Sequence, residues 1–107
     1  MQLLASITAA VTLAAPFNTT STTRGLCTSC WIRVARCEST LRWHLRGPGP
    51  YEGGLQFVRS TWLAFGGGRF ASHAYLASPW QQMVVADTVR VRSGLHNWPV
   101  CGRHWWG

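Results

Sequence analysis

Four cysteines in a chain of 107 residues constrain this protein more than any other feature: Cys27, Cys30, Cys37 and Cys101. A domain this small buries too little apolar surface to be stable without a covalent or metal staple. An even cysteine count in a short chain favours disulfides, and four cysteines allow three pairings. A Cys37–Cys101 bond would join the start of the domain to its end, and closing so long a loop contributes about 4 kcal/mol in the chain-entropy model. Cys27-Thr28-Ser29-Cys30 is a C-x-x-C, open to reading as a redox pair, half a zinc site or a local disulfide. No second C-x-x-C and no H-x3-H accompanies it, so the local disulfide is preferred and no metal is expected.

Oxidised cysteines need an exporting context, and the amino terminus supplies a signal for one. Residues 1–15 carry no charge and end in Ala14-Ala15, like the apolar core of a secretory leader. The Thr/Ser-rich stretch to about residue 25 reads as a linker. The organisation expected is therefore a leader and linker over 1–25, a globular domain over 26–104, and a short aromatic tail at 105–107. The apolar stretch is too short for a membrane span, so a secreted or wall-associated monomer is expected and an integral membrane protein is not.

The charges are lopsided. Ten arginines, with no lysine, face three acids, for a net charge of +7. Any carboxylate chemistry must use Glu38, Glu52 or Asp87. A hard-metal site built on several carboxylates is excluded, and no cofactor motif is present. The run Gly66-Gly67-Gly68 leads into Arg69-Phe70-Ala71 and lacks the helix of a phosphate cradle.

Trp31, Val34, Ala35 and Glu38 recur at i, i+3, i+4 and i+7, which predicts a helix with Ser29 as its N-cap. Glu38 then shares the apolar face, while Arg33 and Arg36 point to water. A carboxyl in that position is desolvated, its pKa rises, and it becomes a general acid. The plainer alternative is a Glu at a helix end that reaches solvent. Residues 46–55 form a turn-rich loop in which Gly53-Gly54 permits close backbone approach, before a short extended piece, Leu55-Gln56-Phe57. Ser60 is placed to cap a short helix that the three glycines stop. Ser78, Pro79 and Gln81 form a capping box for a helix running to Ser93 with Gly94 beyond it, and its Met83, Val84, Ala86, Val89 and Val91 are core-type residues. Asp87 is expected at that helix's solvent face. Trp31 and Trp62 are core candidates, and the four histidines form no metal-spaced cluster.

In this order, Cys37-Glu38-Ser39, Trp43, Gly53-Gly54-Leu55-Gln56-Phe57, Ser60-Thr61-Trp62, Gly66-Gly67-Gly68, Gln81-Gln82 and Trp98-Pro99-Val100-Cys101 resemble the resuscitation-promoting factor domain of actinobacteria, in register over residues 31–103. The resemblance implies a mainly α, α+β, lysozyme-like fold with a short β-hairpin, stapled by disulfides. It implies a peptidoglycan-cleaving glycosidase acting on the bond between N-acetylmuramic acid and N-acetylglucosamine. Glu38 falls on the family's catalytic glutamate and Thr61 on a substrate-binding threonine. Gln56 lies on the strand expected to line the cleft, and Trp43 and Gly54 complete the expected substrate contacts. Cys37 and Cys101 fall on the family disulfide; Cys27 and Cys30 lie outside the pattern. Three departures stand out. Thr40-Leu41-Arg42 replaces Gly-Gly-Asn beside the acid, Ile32 replaces an acidic residue, and Glu52 replaces an aromatic.

Glu38 alone, as acid and then base, is the favoured mechanism; Glu52 is the candidate second carboxylate. A basic domain would also adhere to acidic envelope polymers. The alternative is a secreted, non-catalytic glycan-binding module. Specific nucleic-acid binding lacks any supporting motif.

Overall fold

The computed structural model describes residues 25–107; the leader and most of the linker assigned above lie outside the described residues. Among the described residues, three helices and one hairpin make the frame: α1 (Thr28–Ser39), β1 (Tyr51–Glu52), β2 (Phe57–Val58), α2 (Arg59–Ala64) and α3 (Pro79–Ser93), with short 310 turns between and after them. It is a small, disulfide-stapled α+β domain of the lysozyme-like kind.

Helix α3 forms where the capping box places it. Ser78 Oγ accepts from the Gln81 N–H, the Gln81 side chain accepts from the Ser78 N–H, and Pro79 fills the first turn. Gly94, at φ 95°, ends it. Every residue from Gln82 to Val89 is buried, so this stretch has no solvent face. Asp87 is consequently not at the surface. It is 2% exposed, accepts from Trp31 Nε1 at 3.0 Å, and pairs with Arg90 at 2.8 Å. Val91, in contrast, is exposed.

Helix α1 begins two residues earlier than expected, with Cys27 and not Ser29 at its N-cap. Cys27 is bonded to Cys30, and this ring places its sulfur 3.3 Å from the Cys30 N–H. Trp31, Val34 and Ala35 are fully buried. Arg33 does not point freely to water; it donates to the carbonyls of His104 and Trp105 at 2.8 and 2.9 Å, tying the last 310 turn (Cys101–Trp105) to α1. Trp105, assigned to the tail on sequence, closes that turn under the Arg90 guanidinium.

The core is aromatic. Trp31 and Phe57 both pack edge-on against Trp98, and Phe57 against Trp62. The hairpin pairs Tyr51 with Val58 and Glu52 with Phe57 in antiparallel register. Leu55 and Gln56 lie in its turn; only Phe57 of the expected extended piece is a strand residue. Helix α2 starts at Arg59, from an extended Val58 without a side-chain cap, so Ser60 is not its cap.

Candidate active site

The last turn of α1 carries Glu38 into a groove of about 330 Å³, whose other walls are Tyr51 and Gln56 from the hairpin and Asn97–Cys101. The Cys37–Cys101 bond joins the neighbour of the acid to the neighbour of Val100. It therefore fixes the wall beside the carboxyl. Trp98 holds the wall from the other side, its indole N–H donating to Leu55 O at 2.9 Å.

Glu38 is half-buried, and its carboxyl has no hydrogen bond or ion pair with any described residue. Burial pushes its pKa above the ordinary carboxylate value, because the anion loses hydration and gains nothing in return. The other two acids are occupied elsewhere. Asp87 lies in the core. Glu52 does not line the Glu38 groove; its carboxylate takes the His73 Nδ1 at 2.9 Å and the Ala74 N–H at 3.1 Å. The structure thus separates the two carboxyls considered as a pair on sequence.

Past Glu38 the groove continues into a smaller pocket of about 80 Å³, where Thr61 joins Tyr51, Gln56 and Trp98. Glu38, Gln56 and Thr61 are therefore brought together along one surface. Gln56 sits at φ 55° and donates through Nε2 to Gly47 O and Gly53 O, which braces the turn. Trp43 and Gly54 do not line the groove. They meet each other: a Cβ on Gly54 would lie 2.3 Å from the Trp43 ring, so only glycine lets the chain pass there. Their part is to seat the hairpin.

Two polar side chains complete that seating. Gln82, fully buried in α3, accepts from the Gly54 N–H at 2.9 Å and donates to Trp43 O and Ala77 O. Ser39, at the end of α1, donates to Gly54 O at 2.8 Å. Sequence reasoning assigned neither a role; once buried, each must be hydrogen-bonded, but their burial is set by packing that no local pattern reports. Tyr51, Asn97, Pro99 and Val100 were also missed as groove residues. Among the described residues no group of three metal-ligating side chains comes together, and no helix is long and apolar enough to cross a membrane.

A small disulfide-stapled helical domain with one desolvated glutamate in a groove beside a hairpin is the architecture of lysozyme-like domains. A family model described as "Transglycosylase-like domain" matches residues 27–101. Over 73 residues, 68% of the chain, it is 52% identical to Resuscitation-promoting factor RpfA of Mycobacterium tuberculosis, and covers 18% of that protein. Resuscitation-promoting factor Rpf1 of Corynebacterium glutamicum is 45% identical over 73 residues, with 68% of this chain and 38% of that protein covered. Resuscitation-promoting factor Rpf of Micrococcus luteus is 32% identical over 101 residues, 92% of this chain and 44% of that protein. The chain belongs to the resuscitation-promoting factor domain family, and spans less than half the length of these three relatives.

Proposed function

We propose that this domain cleaves peptidoglycan glycan strands outside the cell, at the β-1,4 bond between N-acetylmuramic acid and N-acetylglucosamine, in cell-wall remodelling or resuscitation. One observation carries the reading: of the three side-chain carboxyls, only Glu38 faces the groove, and it is desolvated with no partner among the described residues. A carboxyl in that state holds its proton to higher pH and is suited to general acid catalysis.

Glu38 protonates the glycosidic oxygen as the C1–O bond breaks. Two-carboxylate glycosidases have a second acid across the site, and neither Glu52 nor Asp87 supports that role. The reading is therefore one-acid chemistry. The Glu38 carboxylate takes the proton from the muramic 6-hydroxyl as O6 attacks C1, giving a 1,6-anhydro end, with the N-acetyl group assisting. No water is consumed. Gln56, which lines both the groove and its continuation, and Thr61, which lines the continuation, contact the sugars.

Thr40 and Leu41, where the family pattern has glycines, keep left-handed backbone at φ 54° and 65°. The loop beside Glu38 thus retains a conformation suited to glycine, which supports turnover over a binding-only module. The experiment is mass spectrometry of products from purified peptidoglycan. Anhydro-muropeptides, lighter by one water than hydrolytic products, are expected from the wild type and none from Glu38→Gln. Reducing ends would replace the transglycosylase mechanism with hydrolysis, and an active Glu38→Gln protein would remove the acid assignment.

A further inference from the structure

The hairpin has a second pocket, of about 200 Å³, that neither the proposed chemistry nor the family pattern uses. Arg46, Glu52, His73 and Tyr75 line it, and Tyr51 belongs both to it and to the Glu38 groove. Tyr51 is 45% exposed. A strand lying across Glu38 and over this ring therefore reaches the second pocket at once.

The chemistry of the pocket favours an anion. The Arg46 guanidinium lies 4.9 Å from the Tyr75 ring centre, stacked on its face. Stacking fixes the plane of the guanidinium while leaving its N–H edges free, and Arg46 has no side-chain hydrogen bond or ion pair with any described residue. Such a pre-oriented fork matches a carboxylate bidentately. The one acid nearby does not take this place: Glu52 is turned to His73 and the Ala74 N–H. That contact also fixes the pocket floor, because it joins β1 to the turn carrying Tyr75.

We infer that the Arg46–Tyr75 pocket binds a carboxylate of the peptide branch carried by the glycan, and so selects strands with free branch carboxylates. The inference rests on the glycan-cleaving reading above. Carboxylates of other envelope polymers share this chemistry, and the substrate arms of the test separate them.

The test measures binding of soluble peptidoglycan fragments to Glu38→Gln protein, which does not consume them, with and without Arg46→Gln. The same fragments with branch carboxylates converted to amides form the second arm, and a carboxylated polymer without peptidoglycan the third. Arg46→Gln is expected to weaken binding of free-carboxylate fragments about tenfold, the scale of one charge-assisted pair, and of amidated fragments less than twofold. Tyr75→Ala, which removes the platform and leaves the charge, should reproduce part of the loss. Equal weakening in both fragment arms, or none in either, overturns the inference; so does an Arg46-dependent preference for the unrelated polymer. Failure of the cleavage reading shows separately, as absent muropeptide release by wild-type protein.

Discussion

Gly66, Gly67 and Gly68 are chemically identical, yet the structure gives each a different reason to be glycine, and alanine at each position should have a different cost. At Gly66 there is open space around the missing Cβ, but φ is +90°. Alanine there pays for left-handed backbone, about 1–2 kcal/mol, less the 0.4–1 kcal/mol or so that any Gly→Ala change recovers from the unfolded chain. The net loss is about 1 kcal/mol. At Gly67 the backbone is ordinary, but a Cβ would lie 2.2 Å from the Trp62 ring. That indole is fully buried and anchored by its N–H on Ala71 O at 2.8 Å, so it has nowhere to go. Overpacking of this severity costs about 3 kcal/mol or more. At Gly68 the nearest atom is Leu63 Cδ2 at 3.3 Å, the end of an exposed, mobile-ended side chain. Alanine there should be neutral or stabilise by about 0.5 kcal/mol.

Urea unfolding followed by tryptophan fluorescence, with disulfides intact, reads the series directly through midpoint and slope. The expected order of stability is Gly68→Ala at or above wild type, then Gly66→Ala, then Gly67→Ala. Three equal losses would mean that the run acts only as a helix stop. A Gly68→Ala loss as large as that of Gly67→Ala would refute the steric argument.

Three further outcomes follow from the same contacts. Glu38→Gln should stabilise the domain: the raised pKa of Glu38 means the folded state pays for ionising it, so the gain is absent below the unfolded carboxylate pKa, grows as pH rises through the folded one, and is full above it. Thermal melts from pH 4 to 8 would show a gap between the two proteins that widens with pH, while activity of the wild type falls over the same upper limb; a constant gap would contradict desolvation. Asp87→Ala should cost about 3 kcal/mol, since it strands the Trp31 indole N–H and Arg90, with Asp87→Asn milder because it keeps an acceptor; a cycle with Trp31→Phe measures the coupling, and additivity would deny the contact. Replacing Cys37 and Cys101 by serine should cost about 4 kcal/mol, and replacing Cys27 and Cys30 about 2, in the loop-entropy model, because the bonds close separations of 64 and 3 residues; equal losses in urea would exclude loop closure as the cause.

Much of the frame was legible from local signals. The capping box at Ser78 and the spacing Trp31, Val34, Ala35, Glu38 report short-range geometry, which the tertiary fold leaves intact. Asp87 was misplaced because a charged residue in a helix is ordinarily read as a solvent marker, whereas α3 is enclosed on all sides from Gln82 to Val89. Its partner, Trp31, is 56 residues away, and no periodicity reports such a contact. Arg33 was misplaced for the same kind of reason: its acceptors are backbone carbonyls at the far end of the chain. The Glu52–His73 pair likewise joins β1 to a loop 21 residues on.

The groove shows how a single covalent link carries information from stability into function. Cys37 precedes Glu38, and Cys101 follows Val100. Any fold that forms this bond, with a Cα separation of 5.7 Å, must bring the Pro99-Val100 segment beside the acid. The wall that desolvates Glu38 is thus set by the same bond that compensates for a small core. Trp98 adds the third point of attachment, through the edge of its ring on Trp31 and its N–H on Leu55 O. Glu38 needs this enclosure, because a carboxyl at the end of a helix would otherwise be hydrated and ordinary. Opening the bond should therefore act on both at once: the wall beside Glu38 loses its anchor, and the small core loses the staple that offsets its size.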